Sequence, residues 1–209
     1  MSERRRLRLR LEISREAARL FWEQGVAATS GDQIAQAVGL STRTLWRHFR
    51  SKESCAEPIV AQGVVTLLSV LRDWPRERSL EDHLAAELTR LRHGTPPVDI
   101  ADETLAMKMI RLADTEPALR TAWLMACDQT EREMCVIIGD RLGRPAGDPE
   151  VRLYAASAAA VLRVLDEEIG AAVLAGAGLT EYEDVTAVSL RYAHAIRTAT
   201  GGAVGGPVT

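Results

Sequence analysis

Aromatic residues are scarce in this chain, at 4% of 209 residues, while Ala, Leu, Arg and Glu abound. That balance favours helices and argues against a β-sandwich or barrel, whose pleated cores draw on aromatic and β-branched side chains. No stretch alternates apolar and polar residues as a half-buried strand would, and no internal repeat is found. Cysteine is scarce too. Cys55, Cys127 and Cys135 include no C-x-x-C spacing, so neither a disulfide framework nor a zinc site is expected. No run reaches about 18 consecutive apolar residues, so no membrane span is expected. The Arg-rich start has no apolar segment behind it and does not read as a secretory signal, which points to the cytoplasm. The G-x-S-x-G, H-E-x-x-H, P-loop and Rossmann patterns are all missing, and His48, His83, His93 and His194 are scattered. The chain is therefore expected to be no enzyme, with no catalytic residue, metal site or cofactor.

What is present is a charge asymmetry. The first 52 residues carry eleven Arg and Lys against five Asp and Glu, a local balance of +6. The net charge of −3 for the whole chain conceals it, because the remainder stands at −9. A basic quarter joined to an acidic body suggests a polyanionic partner for the first part only.

Helical periodicity and caps divide the chain. Leu9, Ile13, Ala17, Leu20 and Phe21 share one face of a helix over 7–24, which Gly25 can end as a left-handed cap. Arg4, Arg5 and Arg6 then form an arm that could follow phosphates or enter a minor groove. Ser30 and Gln33 have capping-box spacing for a short helix that stops at Gly39. Ser41 caps a further helix over 42–49, and Ser51 another that runs to Trp74-Pro75. Beyond it, helices are expected over about 80–92, 102–113, 116–142, 150–174 and from Thr180 to about 200, punctuated by Gly and Pro. The Gly-rich segment 201–209 reads as a flexible tail.

The sharpest constellation is Ile34-Ala35-Gln36-Ala37-Val38-Gly39-Leu40-Ser41. Two helices that cross at roughly 90–120° need a short turn, often with Gly. Gly39 can take positive φ without strain. Leu40, Leu45 and Phe49 would plug the space beneath, leaving Thr42, Arg43, Thr44, Trp46, Arg47 and His48 largely outside. An exposed helix start with Thr-Arg-Thr suits a major-groove reader, since Arg can give two parallel hydrogen bonds to guanine. Trp46 and His48 can offer ring N–H groups to phosphate, and Lys52 lies at a helix start, where anions are attracted.

Residues 10–55 resemble the DNA-binding domain of the tetracycline-repressor (TetR) family. The matching stretches are Ala17-Ala18-Arg19-Leu20-Phe21, Gly25, Ala28-Thr29, Ile34-Ala35, Val38-Gly39-Leu40-Ser41, Thr44-Leu45-Trp46-Arg47-His48-Phe49 and Ser51-Lys52-Glu53. The resemblance implies that Thr42, Arg43, Thr44, Trp46 and His48 face DNA, with Lys52 and Thr29 near phosphates. Trp46 stands where the family usually has Tyr, Gly31 where it has an apolar residue, and Thr42-Arg43 where Lys-Gly is common. The implied architecture is all-α: a three-helix helix-turn-helix domain (1–52) and a larger antiparallel helical domain for ligand binding and dimerisation (53–200). Residues about 100–170, with Met109-Ile110-Arg111-Leu112, Glu116-Pro117-Ala118-Leu119-Arg120, Asp140-Arg141-Leu142-Gly143 and Asp148-Pro149-Glu150-Val151-Arg152-Leu153, are similar to a subgroup with an acyl-CoA-like ligand-binding domain. That leans toward an apolar or amphipathic effector.

Met107, Met109, Trp123, Met125, Cys127 and Met134 could line a pocket or be plain core; Met107, Trp123 and Cys127 are the ligand-binding candidates. Cys127 and Cys135 share one side of a helix and could be redox-active or inert. Homodimerisation is expected through the last two helices, about 150–200. There Ala155, Ala156, Ala158, Ala159, Ala160 and Leu162 make a smooth surface, joined by Tyr182, Val185, Val188, Leu190, Tyr192 and Ala193. The expected function is a ligand-responsive regulator, a repressor released from its double-stranded DNA operator by a small effector. The alternative is a helical adaptor that binds protein only, which the +6 segment argues against.

Overall fold

A computed structural model describes residues 3–94, 97–175 and 185–208, and every regular element among them is helical. In chain order these are α1 (Glu3–Gln24), α2 (Gly31–Ala37), α3 (Thr42–Leu45), a single 3-10 turn (Glu53–Ala56), α4 (Glu57–Arg72), α5 (Leu80–Gly94), α6 (Pro97–Leu112), α7 (Pro117–Leu142), α8 (Pro149–Leu174) and α9 (Val185–Ala199). The all-α expectation holds. Pro97, Pro117 and Pro149 each open a helix, where the missing N–H costs nothing and the fixed φ is already helical.

Two elements begin earlier than periodicity suggested. Nothing between Glu3 and Leu7 breaks a helix, arginine is a good helix former, and Glu3 complements the positive end of the helix. Arg4, Arg5 and Arg6 therefore stand on α1 rather than on an extended arm. Likewise α6 starts at Pro97 instead of near 102. The start expected at Thr180, and Tyr182 with it, lies outside the described residues.

The chain forms two compact units: Met1–Gly63 with Pro97–Ala126, and Val64–Pro96 with Cys127–Thr209. In the first, Ile13, Ala17, Phe21, Ile34, Leu45 and Phe49 are buried. Two polar ties hold α1 there. The buried Ser14 hydroxyl accepts the Ile59 N–H at 2.9 Å. The Arg15 guanidinium gives two parallel hydrogen bonds of 2.7 Å to Asp102, whose carboxylate is almost fully buried. The boundary expected at 52/53 thus runs inside a compact unit. The stretch Glu53–Arg72 is, among the described residues, long and apolar enough by composition to cross a membrane, and half of it is buried.

In the second unit α9 packs on α5 and α8. Leu84, Ile138, Val151, Ala158, Leu162 and Ile196 form much of its core. Ala155, Ala158, Ala159, Leu162, Tyr192 and Ala193 are buried within the chain itself, so this part of the expected dimer surface is intramolecular core. The opposite side of α8 is open: Leu153 is 68% exposed and Val164 43%, with Ala160 exposed between them, and Leu190 on α9 is 49% exposed.

Residues 201–208, within the segment that reads as a flexible tail, make defined contacts. Gly201 and Gly202 take positive φ and close α9, with Gly202 N–H donating to Arg197 O and Gly201 N–H to Thr198 O. Val204 is buried, Leu80 N–H donates to Gly205 O at 2.8 Å, and Val208 N–H donates to Arg76 O at 2.7 Å. Glycine here supplies turns that side chains resist.

Candidate nucleic-acid interface

The expected capping box on α2 forms. Ser30 Oγ accepts the Gln33 N–H, and the Gln33 side chain accepts the Ser30 N–H at 2.8 Å. At its other end Gly39 has φ +66°. Leu40 N–H reaches Ala35 O at 2.8 Å and Gly39 N–H reaches Gln36 O at 3.1 Å, the paired bonds of a left-handed glycine cap. Ser41 Oγ then caps Thr44 N–H, and α3 begins. Regular helix stops at Leu45, short of the expected 49. The chain keeps winding, with His48 N–H and Phe49 N–H both donating to Leu45 O. Leu45 and Phe49 are buried, as the spacing required.

The outward side is basic and largely uncommitted. Arg43 and Arg47 are exposed, and among the described residues neither has an ion pair. Thr42 donates its hydroxyl to the Asp32 carboxylate, and the Thr44 and Ser41 hydroxyls share a hydrogen bond of 2.9 Å. Both threonines therefore brace the turn. Trp46 is 43% exposed. The Arg10 guanidinium donates to His48 O and lies 4.4 Å over the Phe49 ring. Burial, and then the nearby Arg10, Arg47 and Arg6, hold the His48 imidazole below its usual pKa. These surroundings favour the uncharged form of the His48 ring.

Two expected phosphate neighbours have other partners. Thr29 is 2% exposed; its hydroxyl donates to Gly25 O at 2.9 Å and accepts from the Gln24 amide. The Lys52 ammonium donates to Val26 O and to Thr29 O, the latter at 2.8 Å. Together they hold the loop between α1 and α2. Sequence reasoning did not anticipate the roles of Asp32 and Arg10, because each acts through a contact between distant positions.

Of the ligand candidates, Met107 on α6 is half-buried and Trp123 on α7 is buried, both in the first unit. Cys127 is half-buried and belongs to the second. Burial pushes the Cys55 thiol up to about 12 and raises Cys135 as well, so neither is a ready thiolate.

A family model described as bacterial regulatory proteins, tetR family, matches residues 13–59, from the second half of α1 to the start of α4. The HTH-type transcriptional regulator TcmR of Streptomyces glaucescens is 32% identical over 173 residues, covering 80% of this chain and 76% of that protein. Solved structures share the fold at lower identity. Salmonella enterica GusR superposes with a TM-score of 0.61 at 19% identity, over 90% of this chain and 95% of that one. Thermus thermophilus FadR, a TetR-family transcriptional repressor solved with lauroyl-CoA, gives 0.54 at 19% identity, over 92% and 94%. With a relative this similar over most of both chains, and a basic helix-turn-helix at its head, the chain belongs to the TetR family of bacterial transcription regulators.

Proposed function

We propose that this protein is a homodimeric repressor that leaves its operator when a small apolar or amphipathic effector binds. The observation that carries the DNA half is the exposed face of α3, where Arg43 and Arg47 stand without ion pairs inside a segment of net charge +6. In this reading Arg43 meets base edges, with Thr42 and Thr44 beside it, while Trp46 and His48 offer N–H groups to phosphate. Lys52 and Thr29 support the loop that backs this face. The purified protein should select a two-fold symmetric duplex from a random-sequence pool. Retention of no duplex, even at low salt, would overturn the reading.

The effector half rests on family resemblance, and FadR bound to lauroyl-CoA favours an acyl-chain ligand. Met107 and Trp123, both in the first unit, are the proposed contacts. The Arg15–Asp102 pair gives such an effector a route, because a shift of α6 would pull on α1.

Dimerisation is assigned to the open stripe of α8 and α9. Leu153, Ala160 and Val164 share one helical face opposite the buried one, and Leu190 on α9 is exposed as well. Leu153→Glu with Val164→Glu should weaken the dimer at least about a hundredfold, since unpaired charges in an apolar interface are costly. Light scattering after size exclusion would read this as a monomer at micromolar concentration. An unchanged dimer would move the interface elsewhere.

A further inference from the structure

Gly31 opens α2, yet nothing in its backbone requires glycine. Its φ lies outside the left-handed region, and glycine weakens a helix relative to alanine. What a side chain there would meet is Trp46. A Cβ on Gly31 would lie 2.3 Å from Trp46 Cζ2, 2.7 Å from Cη2 and 3.3 Å from Cε2. The outer edge of the indole occupies the space that any other residue would fill. The Thr42–Asp32 hydrogen bond draws the first turns of α3 and α2 together and fixes the spacing into which the ring slides. Trp46 is nearly half exposed, and among the described residues its N–H has no protein acceptor.

We infer that Gly31 is a positioning residue for DNA binding: its missing side chain is the seat of the Trp46 indole, and the pair fixes where the indole N–H is offered to a phosphate. The inference rests on the DNA-binding reading above and assigns a cause to one part of it. A methyl group at Gly31 need not disturb the core, because the half-exposed indole can swing outward. The fold survives and the N–H is lost from its place. Tyrosine, a single ring, has no Cζ2–Cη2 edge and leaves room for the methyl.

The test is a cycle of Gly31→Ala, Trp46→Tyr and the double variant, read on a duplex that the wild-type protein selects from a random pool. Gly31→Ala should weaken binding about tenfold per half-site, the usual size of one lost hydrogen bond to a charged group. In the Trp46→Tyr background the same change should cost less than about twofold. With 5-fluorotryptophan incorporated, Gly31→Ala should move the fluorine resonance of Trp46 and leave those of Trp22, Trp74 and Trp123 in place, without a fall in thermal midpoint. An equal loss in both backgrounds, no loss at all, or an unmoved Trp46 resonance would each overturn the inference. The resonance is read without DNA, so an unmoved signal sinks the seat alone. A wild-type protein that selects no duplex sinks the functional reading and this inference with it.

Discussion

Arg43→Ala is expected to lower operator affinity by about a hundredfold or more while leaving folding and dimerisation intact. Three features single out this side chain. It stands in the first turn of α3, the part of such a helix that approaches base edges. Thr42 and Thr44, on either side, spend their hydroxyls on Asp32 and Ser41 and so brace the turn. Arg43 itself is exposed and, among the described residues, has no ion pair to break before it binds. A bidentate arginine–guanine contact is worth about 1–3 kcal/mol, and a two-fold dimer presents it twice. Loss of a base contact should also relax sequence preference and barely change the salt dependence. Arg4→Ala with Arg8→Ala gives the contrasting pattern if those α1 residues meet phosphates: a uniform loss across sequences, with a salt slope shallower by about 1 per contact. Fluorescence anisotropy on the selected duplex and on a point-substituted one, at two salt concentrations, separates the cases. Undiminished affinity and preference in Arg43→Ala would remove α3 from the reading position.

The DNA-binding head was legible from sequence because its punctuation is local. Ser30 with Gln33, Gly39 and Ser41 each act on backbone groups within five residues, so spacing alone announces them. Where a feature depends on distant partners, spacing is silent. Gly31 and Trp46 stood out as departures from the family pattern, but that they fit one another required the crossing of α2 and α3. Arg15 and Asp102, 87 positions apart, gave no sign of pairing. On α8 the small residues were visible, yet periodicity cannot say which face meets the chain's own core. Ala155, Ala158 and Ala159 turned inward, and the candidate interface is the stripe of Leu153, Ala160 and Val164 behind them. In the tail, composition suggested flexibility and said nothing of the turns, where Gly201, Gly202 and Gly205 take positive φ.

That tail leads to the largest expected effect on stability. Arg141, near the end of α7, is 5% exposed, and its guanidinium faces a ring of carbonyls. It donates to Pro75 O, Arg78 O and Gly206 O at 2.8 Å each, and to Arg76 O at 3.1 Å. It also lies 3.4 Å over the ring of Trp74, whose own N–H donates to Arg78 O. One side chain thus joins α7, the connection after α4 and the C-terminal segment. Burial and the neighbouring Arg76 lower its pKa, but a guanidinium remains charged, so the cation stays in this cradle. Arg141→Ala removes the donor and strands several part-buried carbonyls together with the aromatic face. The expected loss is about 3–5 kcal/mol, or roughly 10 °C in thermal midpoint for a chain of this size. Arg141→Lys should recover only a fraction, because a compact ammonium with three donors cannot serve four acceptors and stack on the indole at once. Removing the last four residues takes away Gly206 but leaves the Pro75–Arg78 carbonyls, so its cost should fall well below that of Arg141→Ala. Thermal melts must be compared at one protein concentration, since any dimer contributes to the midpoint. If Arg141→Ala and Arg141→Lys both melted within about 2 °C of the wild-type protein, the guanidinium would be a passenger in this turn, not its clasp.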